Sequence, residues 1–528
     1  MAEQERKRIV IENVKPEIDE GRFAIKRVIG EKVRVTADVF SDGHDSPAAR
    51  LLYQKHGRAE WLEIVMSFLE NDRWVGEFIV DELGAYQYTV EAWVDHFKTW
   101  RHAIVKKFED GQDIHVDLQI GARYLEKGSQ RASGEDAERL KDLSEAIKNE
   151  INQERAVLLA TGQEATQLMN GYPDLTFAVR YCRELRIIVE RPKALYSTWY
   201  ECFPRSCSEQ PGRHGSLRDC ERILPEIARM GFDVLYLPPI HPIGRTNRKG
   251  KNNSPVASPD DPGSPWAIGT EEGGHKAIHP PLGTEEDFES LVKKAAQQGI
   301  EVAMDLAFQC SPDHPYVKEH PAWFRWRPDG SVQYAENPPK KYEDIYPINF
   351  ESGEWRELWE ELRSVVLFWM DRGIRIFRVD NPHTKPFPFW EWLIDGIRKD
   401  YPEVIFLAEA FTRPKVMNRL AKLGFNQSYT YFTWRNSKKE ITDYMLELTQ
   451  TEQKEYFRPN FWPNTPDILP EFLQYGGRPA FVIKLILAAT LSSNYGVYGP
   501  AFELCVSEAL SGKEEYLNSE KYEIKHWD

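Results

Sequence analysis

The feature that most constrains this chain is a strand–loop–helix pattern repeating from about residue 194 to the C-terminus. LYSTWYECF precedes a helical stretch near 216–230, which leads into FDVLYLPP. EEDFESLVKKAAQQG ends at Gly299 and feeds IEVAMDLAF; WRELWEELRSVVLFWMDRG feeds IRIFRVD, and PFWEWLIDGIRKD feeds VIFLAEAF. FNQSYTYFTW, a short segment near NTPDIL, and SNYGVYG bring the strand candidates to eight. Strands alternating with helices predict an α/β fold, specifically a (β/α)8 barrel. A doubly wound sheet is the alternative, but no glycine-rich dinucleotide turn follows any strand. Residues 240–281, rich in Pro, Gly and Asn, are too long for a simple connection and read as a functional loop subdomain.

Ahead of the barrel, residues 1–118 read as short alternating strands: RIVIENV, KVRVTADVF, WLEIVMSFL, RWVGEFIV, YQYTVEAWVDH and DIHVDLQI. Turn signals at Asp42-Gly43 and Asp110-Gly111 punctuate them, which predicts an N-terminal β-sandwich. Residues 119–193 change character. They are charged and rich in helix formers, with Leu140, Leu143, Ile147 and Ile151 at helical spacing and Ser133, near Asp136, as a candidate cap. This predicts a helical insert and a return to the sandwich, with a long solvated linker helix as the alternative. The barrel domain is assigned residues 194–528.

A net charge of -15 without a long basic run disfavours nucleic acid and anionic membranes as partners. The N-terminus lacks the apolar core of a signal peptide. Phe481 to Leu491 carries Lys484 and is too short to span a bilayer. Six cysteines show no paired short spacing beyond Cys202/Cys207, so they read as reduced thiols and not as a zinc site. These features together predict a cytoplasmic location, and no metal or cofactor is expected.

Two strand ends carry the chemistry. In GIRIFRVDNPHTKP, two-residue alternation puts Ile374, Ile376, Arg378 and Asp380 on one face. With that face inward, Asp380 sits at the C-terminal strand end, where such barrels place their sites, and Arg378 would hold it ionised as a nucleophile. A structural Arg–Asp pair is the plain alternative. VIFLAEAF likewise aligns Ile405, Leu407 and Glu409, and apolar neighbours raise a carboxyl's pKa toward that of a general acid. The alternative there is a rim glutamate in solvent. Asp467 in NTPDIL, near the expected seventh strand, completes three acids around one mouth. Retaining glycosidases need two carboxylates ~5–5.5 Å apart, which adjacent strand ends supply.

The segments EVAMDLAFQCSPDHP, GIRIFRVDNPHTKP, IFLAEAF and NTPDIL resemble the four sequence regions of the α-amylase superfamily. Within it the chain is similar to one branch, the maltosyltransferases that use α-maltose 1-phosphate to extend α-1,4-glucans. HPIGRTNRKGKNNSP, ENPPKKYEDIYPINF, EEYLNSEKYEIK and YECFPRS carry that likeness. Gln309-Cys310 stand where amylases usually have Asn-His, and Pro466 replaces the histidine before the third acid. Both departures agree with the branch. Its members normally continue into a C-terminal β-domain, and this chain is read as lacking one.

The resemblance implies Asp380 as nucleophile, Glu409 as acid/base and Asp467 as transition-state stabiliser. It implies sugar-binding roles for Lys249, Gln309, Asp344, Asn381, Lys521 and Tyr522, and a homodimer. Lys340 and Tyr342, with Asn337, are candidates for the leaving phosphate, which needs donors and positive charge; a solvated Lys-Lys pair in a loop is the alternative. The long loop and Trp266 are expected to exclude water. The implied reaction is a double displacement from α-maltose 1-phosphate to an acceptor glucan with net retention. A hydrolase or glucanotransferase of the same superfamily, and a non-catalytic glycan-binding barrel, are the competing readings.

Overall fold

Seven short strands, buried along nearly their whole length, form one parallel sheet in the computed structural model, which describes residues 6–527. They are β1 (Ser197–Glu201), β2 (Val234–Leu237), β3 (Glu301–Leu306), β4 (Ile376–Asp380), β5 (Ile405–Glu409), β6 (Gln427–Ser428) and β7 (Asn494–Tyr498). Their order is β6-β5-β4-β3-β2-β1-β7, so chain order and spatial order agree except where the two ends must meet. Those ends meet through residues 458–461. Ser428 N–H donates to Arg458 O at 3.0 Å and Asn460 N–H to Ser428 O at 2.8 Å. Phe461 N–H then donates to Asn494 O, and Gly496 N–H to Phe461 O, both at 3.0 Å. The barrel is therefore closed, with an irregular eighth stave.

That stave corrects one expectation. NTPDIL does not pair with the sheet; the pairing residues lie just upstream, and Asp467 sits on the turn closed by Thr465 and Ile468. Pro459 and Pro463 cannot donate to a ladder, so no periodic strand pattern forms there to be read.

Helices cover the outside. Glu285–Gln297 starts at a capping box of Thr284 and Asp287, buries Phe288, Leu291 and Ala295, and gives way at Gly299, whose φ of 77° is left-handed. Trp355–Asp371, Phe387–Asp400, Pro414–Lys422, Lys438–Gln450 and Glu471–Leu491 follow the later staves. Inside, Trp462 stacks on Tyr429 with ring centroids 4.9 Å apart and meets Trp199 edge-on at 6.5 Å. A Cβ on Gly496 would collide with the Trp462 indole, so this position requires glycine. At the N-terminal ends of β1, β6 and β7, Gln427 Nε2 donates to Ser197 Oγ (2.9 Å) and Asn494 Oδ1 (3.0 Å), while its Oε1 accepts from Asn460 Nδ2 (2.9 Å). This amide knot fills the end opposite the site.

Residues up to Val189 form a separate compact unit. Its strands make two antiparallel sheets, one of Ile9–Lys15, Lys32–Ser41, Arg73–Ile79 and Ser67–Phe68, the other built around Gly84–Val94 and Pro47–Lys55. Val33, Val35, Ala37 and Val39 alternate inward with exposed Lys32 and Arg34. Tyr53 and Phe78, from different sheets, stack at 4.1 Å. Five helices follow: His96–Glu109, His115–Arg131, Gly134–Asn149, Gln153–Thr161 and Gln163–Gly171.

Helix thus begins well before residue 119, and DIHVDLQI is not a strand. Ile114 and Leu118, four residues apart, are buried with Ala122 and Leu125, while Val116 and Ile120 are exposed. An alternating run served a helical face because every second apolar residue was left in water. Ser133 occupies the N-cap of Gly134–Asn149 without a side-chain hydrogen bond, and Ile151 lies beyond that helix, fully exposed.

Candidate active site

Parallel pairing sets Asp380 directly beside Glu409 in the register of β4 and β5. Neighbouring strands lie about 4.8 Å apart, so the two carboxylates start from the separation that a covalent double displacement uses. Arg378, two residues earlier on the same inward face, organises both. Its Nη1 donates 2.9 Å to Asp380 Oδ1 and 2.9 Å to Asp305 Oδ2, and its Nη2 lies 3.3 Å from Glu409 Oε1. The guanidinium fork is buried, with a side chain only 6% exposed, so its charge acts in a poorly screened environment.

The acids are differentiated by surroundings. Burial raises the Glu409 carboxyl to about 7; Arg378 opposes the shift, and Asp380 and Asp467 add to it. Asn381 N–H donates 3.1 Å to Glu409 Oε2, fixing the side chain. Asn381 itself sits at φ 42°, ψ 54°, a left-handed conformation that asparagine tolerates better than most residues. Its Nδ2 lies 3.4 Å from Asp380 Oδ2. Asp467 has about half of its side chain exposed (51%), and the Lys521 ammonium, at 2.7 and 3.0 Å from its two oxygens, outweighs what partial burial adds and lowers its pKa.

Lys521 also lies 4.9 Å over the Trp266 ring, and Gln309 Nε2 donates to Trp266 O at 3.3 Å. Lys340, Tyr342, Asp467, Lys521 and Tyr522 line one crevice, where Lys340 Nζ donates 2.7 Å to Glu515. Lys249 pairs with Glu343. Burial raises the Asp344 carboxyl to about 6, with Lys249 and Lys521 opposing. Asn337 is exposed on the hairpin formed by Ala335–Asn337 and Lys340–Tyr342.

Several contributors escaped sequence reasoning. Asp305 accepts from Tyr236 OH at 2.5 Å as well as from Arg378, and burial raises its pKa. It sits two residues after Ala303 on β3, so the alternation that exposed Asp380 also carried its signal. Lys385 Nζ donates to Asp380 O (3.2 Å) and Asn381 O (3.3 Å), tying down the strand end; a lysine five residues downstream gives no periodic cue.

His275, Cys310 and His314 are buried, with potential ligand atoms all within 4.8 Å of one another. Their ring nitrogens are committed, however. His275 Nδ1 meets His314 Nε2 at 3.0 Å, His275 Nε2 meets Ala307 O at 2.9 Å, and His314 Nδ1 accepts from Tyr316 N–H. Burial lowers both imidazole pKa values, His275 to about 4, so the pair stays neutral and acts as a hydrogen-bonded strut.

A closed parallel barrel presenting a nucleophile-type carboxylate, a protonatable neighbour and a third acid has the equipment of a glycosyl-transferring enzyme. Residues 7–191 match the family model described as α-1,4-glucan:maltose-1-phosphate maltosyltransferase, domain N/S. The chain is 59% identical over 523 residues to the Chlorobaculum tepidum protein of that name, covering 99% of this chain and 78% of the relative. It is 56% identical over 525 residues to the Methylacidiphilum infernorum protein, with the same coverages. Among solved structures, an α-amylase from Lactobacillus plantarum aligns with 61% of this chain and 75% of its own at 21% identity and a TM-score of 0.46. The chain belongs to the α-1,4-glucan:maltose-1-phosphate maltosyltransferase family. Among the described residues, no helix is long and apolar enough to cross a membrane.

Proposed function

We propose that this chain moves a maltosyl unit from α-maltose 1-phosphate to the non-reducing end of an α-1,4-glucan, with retention and release of phosphate. The observation that carries the reading is the single buried Arg378 fork holding Asp380 and Glu409 side by side. Asp380 attacks the anomeric carbon from the β face. Glu409, protonated near neutrality, gives its proton to the bridging phosphate oxygen as the C–O bond breaks. The product of this half is a β-maltosyl ester on Asp380 and free phosphate. Glu409, now a carboxylate, takes the proton from an acceptor 4-hydroxyl, whose oxygen attacks the same carbon and releases Asp380. Two inversions restore the α-linkage.

Asp467 stabilises the positive charge that develops on the ring, once sugar binding has loosened its pairing with Lys521. Lys249, Gln309, Asp344, Asn381 and Tyr522 fix sugar hydroxyls, and Lys340 with Tyr342 supplies charge and a donor for the departing phosphate. Asn337, on the same hairpin as Lys340 and Tyr342, is the third phosphate candidate. An N-terminal β-sandwich with a helical insert, a homodimeric assembly and a cytoplasmic location belong to the same reading.

The test is phosphate release from α-maltose 1-phosphate with and without a short maltooligosaccharide. Acceptor-dependent release with products growing by two glucose units is expected. Rapid hydrolysis of the oligosaccharide alone would instead mark a hydrolase, and glycan binding without turnover a non-catalytic barrel.

A further inference from the structure

A hollow of about 400 Å³ in the N-terminal unit lies between a sheet and the helices that follow it, far in sequence from the carboxylates. Its origin is local. Ala48 and Ala49 on strand Pro47–Lys55 are too small to fill the space beneath helix His96–Glu109, and Trp74, Trp93 and Tyr124 stand around the gap they leave. A cavity of this size is within the ~300–1,000 Å³ typical of small-molecule sites.

Its charge is unlike that of the chain. Lys98, Arg101, Lys127 and Arg131 all line it, in a protein of net charge -15. Several other cations of this unit are paired: Arg50 with Glu63 and Glu91, Lys107 with Asp117, Lys148 with Glu126. Among the described residues, none of the four lining cations is in an ion pair. Arg101 donates to the Thr166 hydroxyl, Arg131 Nε to Tyr172 O at 2.9 Å, and Lys98 Nζ lies 3.5 Å from Pro47 O and 5.2 Å over the Trp74 ring. Two carboxylates share the lining and offset part of this charge: Asp95 caps its helix at Lys98 N (2.8 Å), and Asp174, which accepts from the Thr176 hydroxyl (2.6 Å), feels the charges of Arg131 and Lys127. Burial lowers the Lys98 pKa; the Asp95 carboxylate opposes the shift and neighbouring Arg101 adds to it, a net cost that a bound anion would relieve.

We infer that this hollow is a binding site for a phosphate-bearing anion, separate from the catalytic mouth. Four lining cations supply charge-assisted donors, and the aromatic walls suit the apolar face of a sugar ring. The lining alone points to this chemistry, whichever reaction the barrel carries out.

Calorimetric titration of the full chain with inorganic phosphate, maltose and α-maltose 1-phosphate tests it. An Asp380→Asn background prevents turnover, and each titration is run with and without Arg101→Gln/Lys127→Gln. A phosphate-dependent binding event that weakens roughly tenfold or more in the charge-removed protein is expected. Equal affinity for both phosphate-bearing probes assigns free phosphate, and a tighter, equally sensitive sugar phosphate assigns the ester. Lys127→Glu alone, on an exposed side chain that does not endanger folding, weakens the same event at least fivefold. Unchanged affinity and stoichiometry in these folded variants, or binding of maltose alone at this site, would overturn the inference.

Discussion

At the residue scale, one arginine distinguishes two carboxylates by holding them in different surroundings. Arg378 touches Asp380, Asp305 and Glu409 with a planar fork that a lysine ammonium cannot imitate. Arg378→Lys is therefore expected to lower kcat/KM for the donor on the order of 10²–10³-fold in protein with an unchanged far-UV spectrum; a loss under threefold would remove Arg378 from the account. Because burial raises Glu409 to about 7, its acid form is depleted as pH climbs through that value. Where donor cleavage limits the rate, kcat/KM should fall about tenfold per pH unit well above 7, and Glu409→Gln should abolish that limb. The sequence showed Asp380, Glu409 and Arg378 because all three obey strand alternation. It could not show that Lys521 neutralises Asp467 across 54 residues of chain, since no local pattern encodes that meeting.

At the element scale, regular periodicity was legible and its exceptions were not. β1 to β5 and the helices between them follow apolar patterns that the structure keeps. The irregular eighth stave is built by backbone bonds at 458–461 beside two prolines, and nothing in that composition advertises a strand. Residues 114–120 misled for the opposite reason, since Ile114, Val116, Leu118 and Ile120 fit a strand while only Ile114 and Leu118 are buried. Their burial makes a separable prediction. Leu118→Ala should cost about 2–5 kcal/mol of unfolding free energy, and Val116→Ala no more than about 0.5 kcal/mol, by urea denaturation followed through the N-terminal unit. Equal costs would contradict the helical assignment.

At the scale of the whole molecule, the site is maintained at the expense of stability. A carboxyl whose folded pKa is near 7, against 4.5 for the free group, binds more protons folded than unfolded between those values. Stability due to Glu409 is therefore fully present below about pH 4.5 and declines as pH rises through 7. Glu409→Gln removes the charge that burial penalises, so it should raise Tm at pH 8, with the advantage shrinking to nothing near pH 4.5, while transfer is lost. A Tm lowered at pH 8 would show that the carboxylate is paid for by its partners after all. The central claim is that Asp380 carries the sugar between donor and acceptor. The most direct measurement is peptide mass mapping of Glu409→Gln protein quenched after exposure to α-maltose 1-phosphate without acceptor. The account predicts one maltosyl unit esterified to the peptide containing Asp380, absent from the Asp380→Ala control; unmodified Asp380, with phosphate nevertheless released in stoichiometric amount, would contradict it.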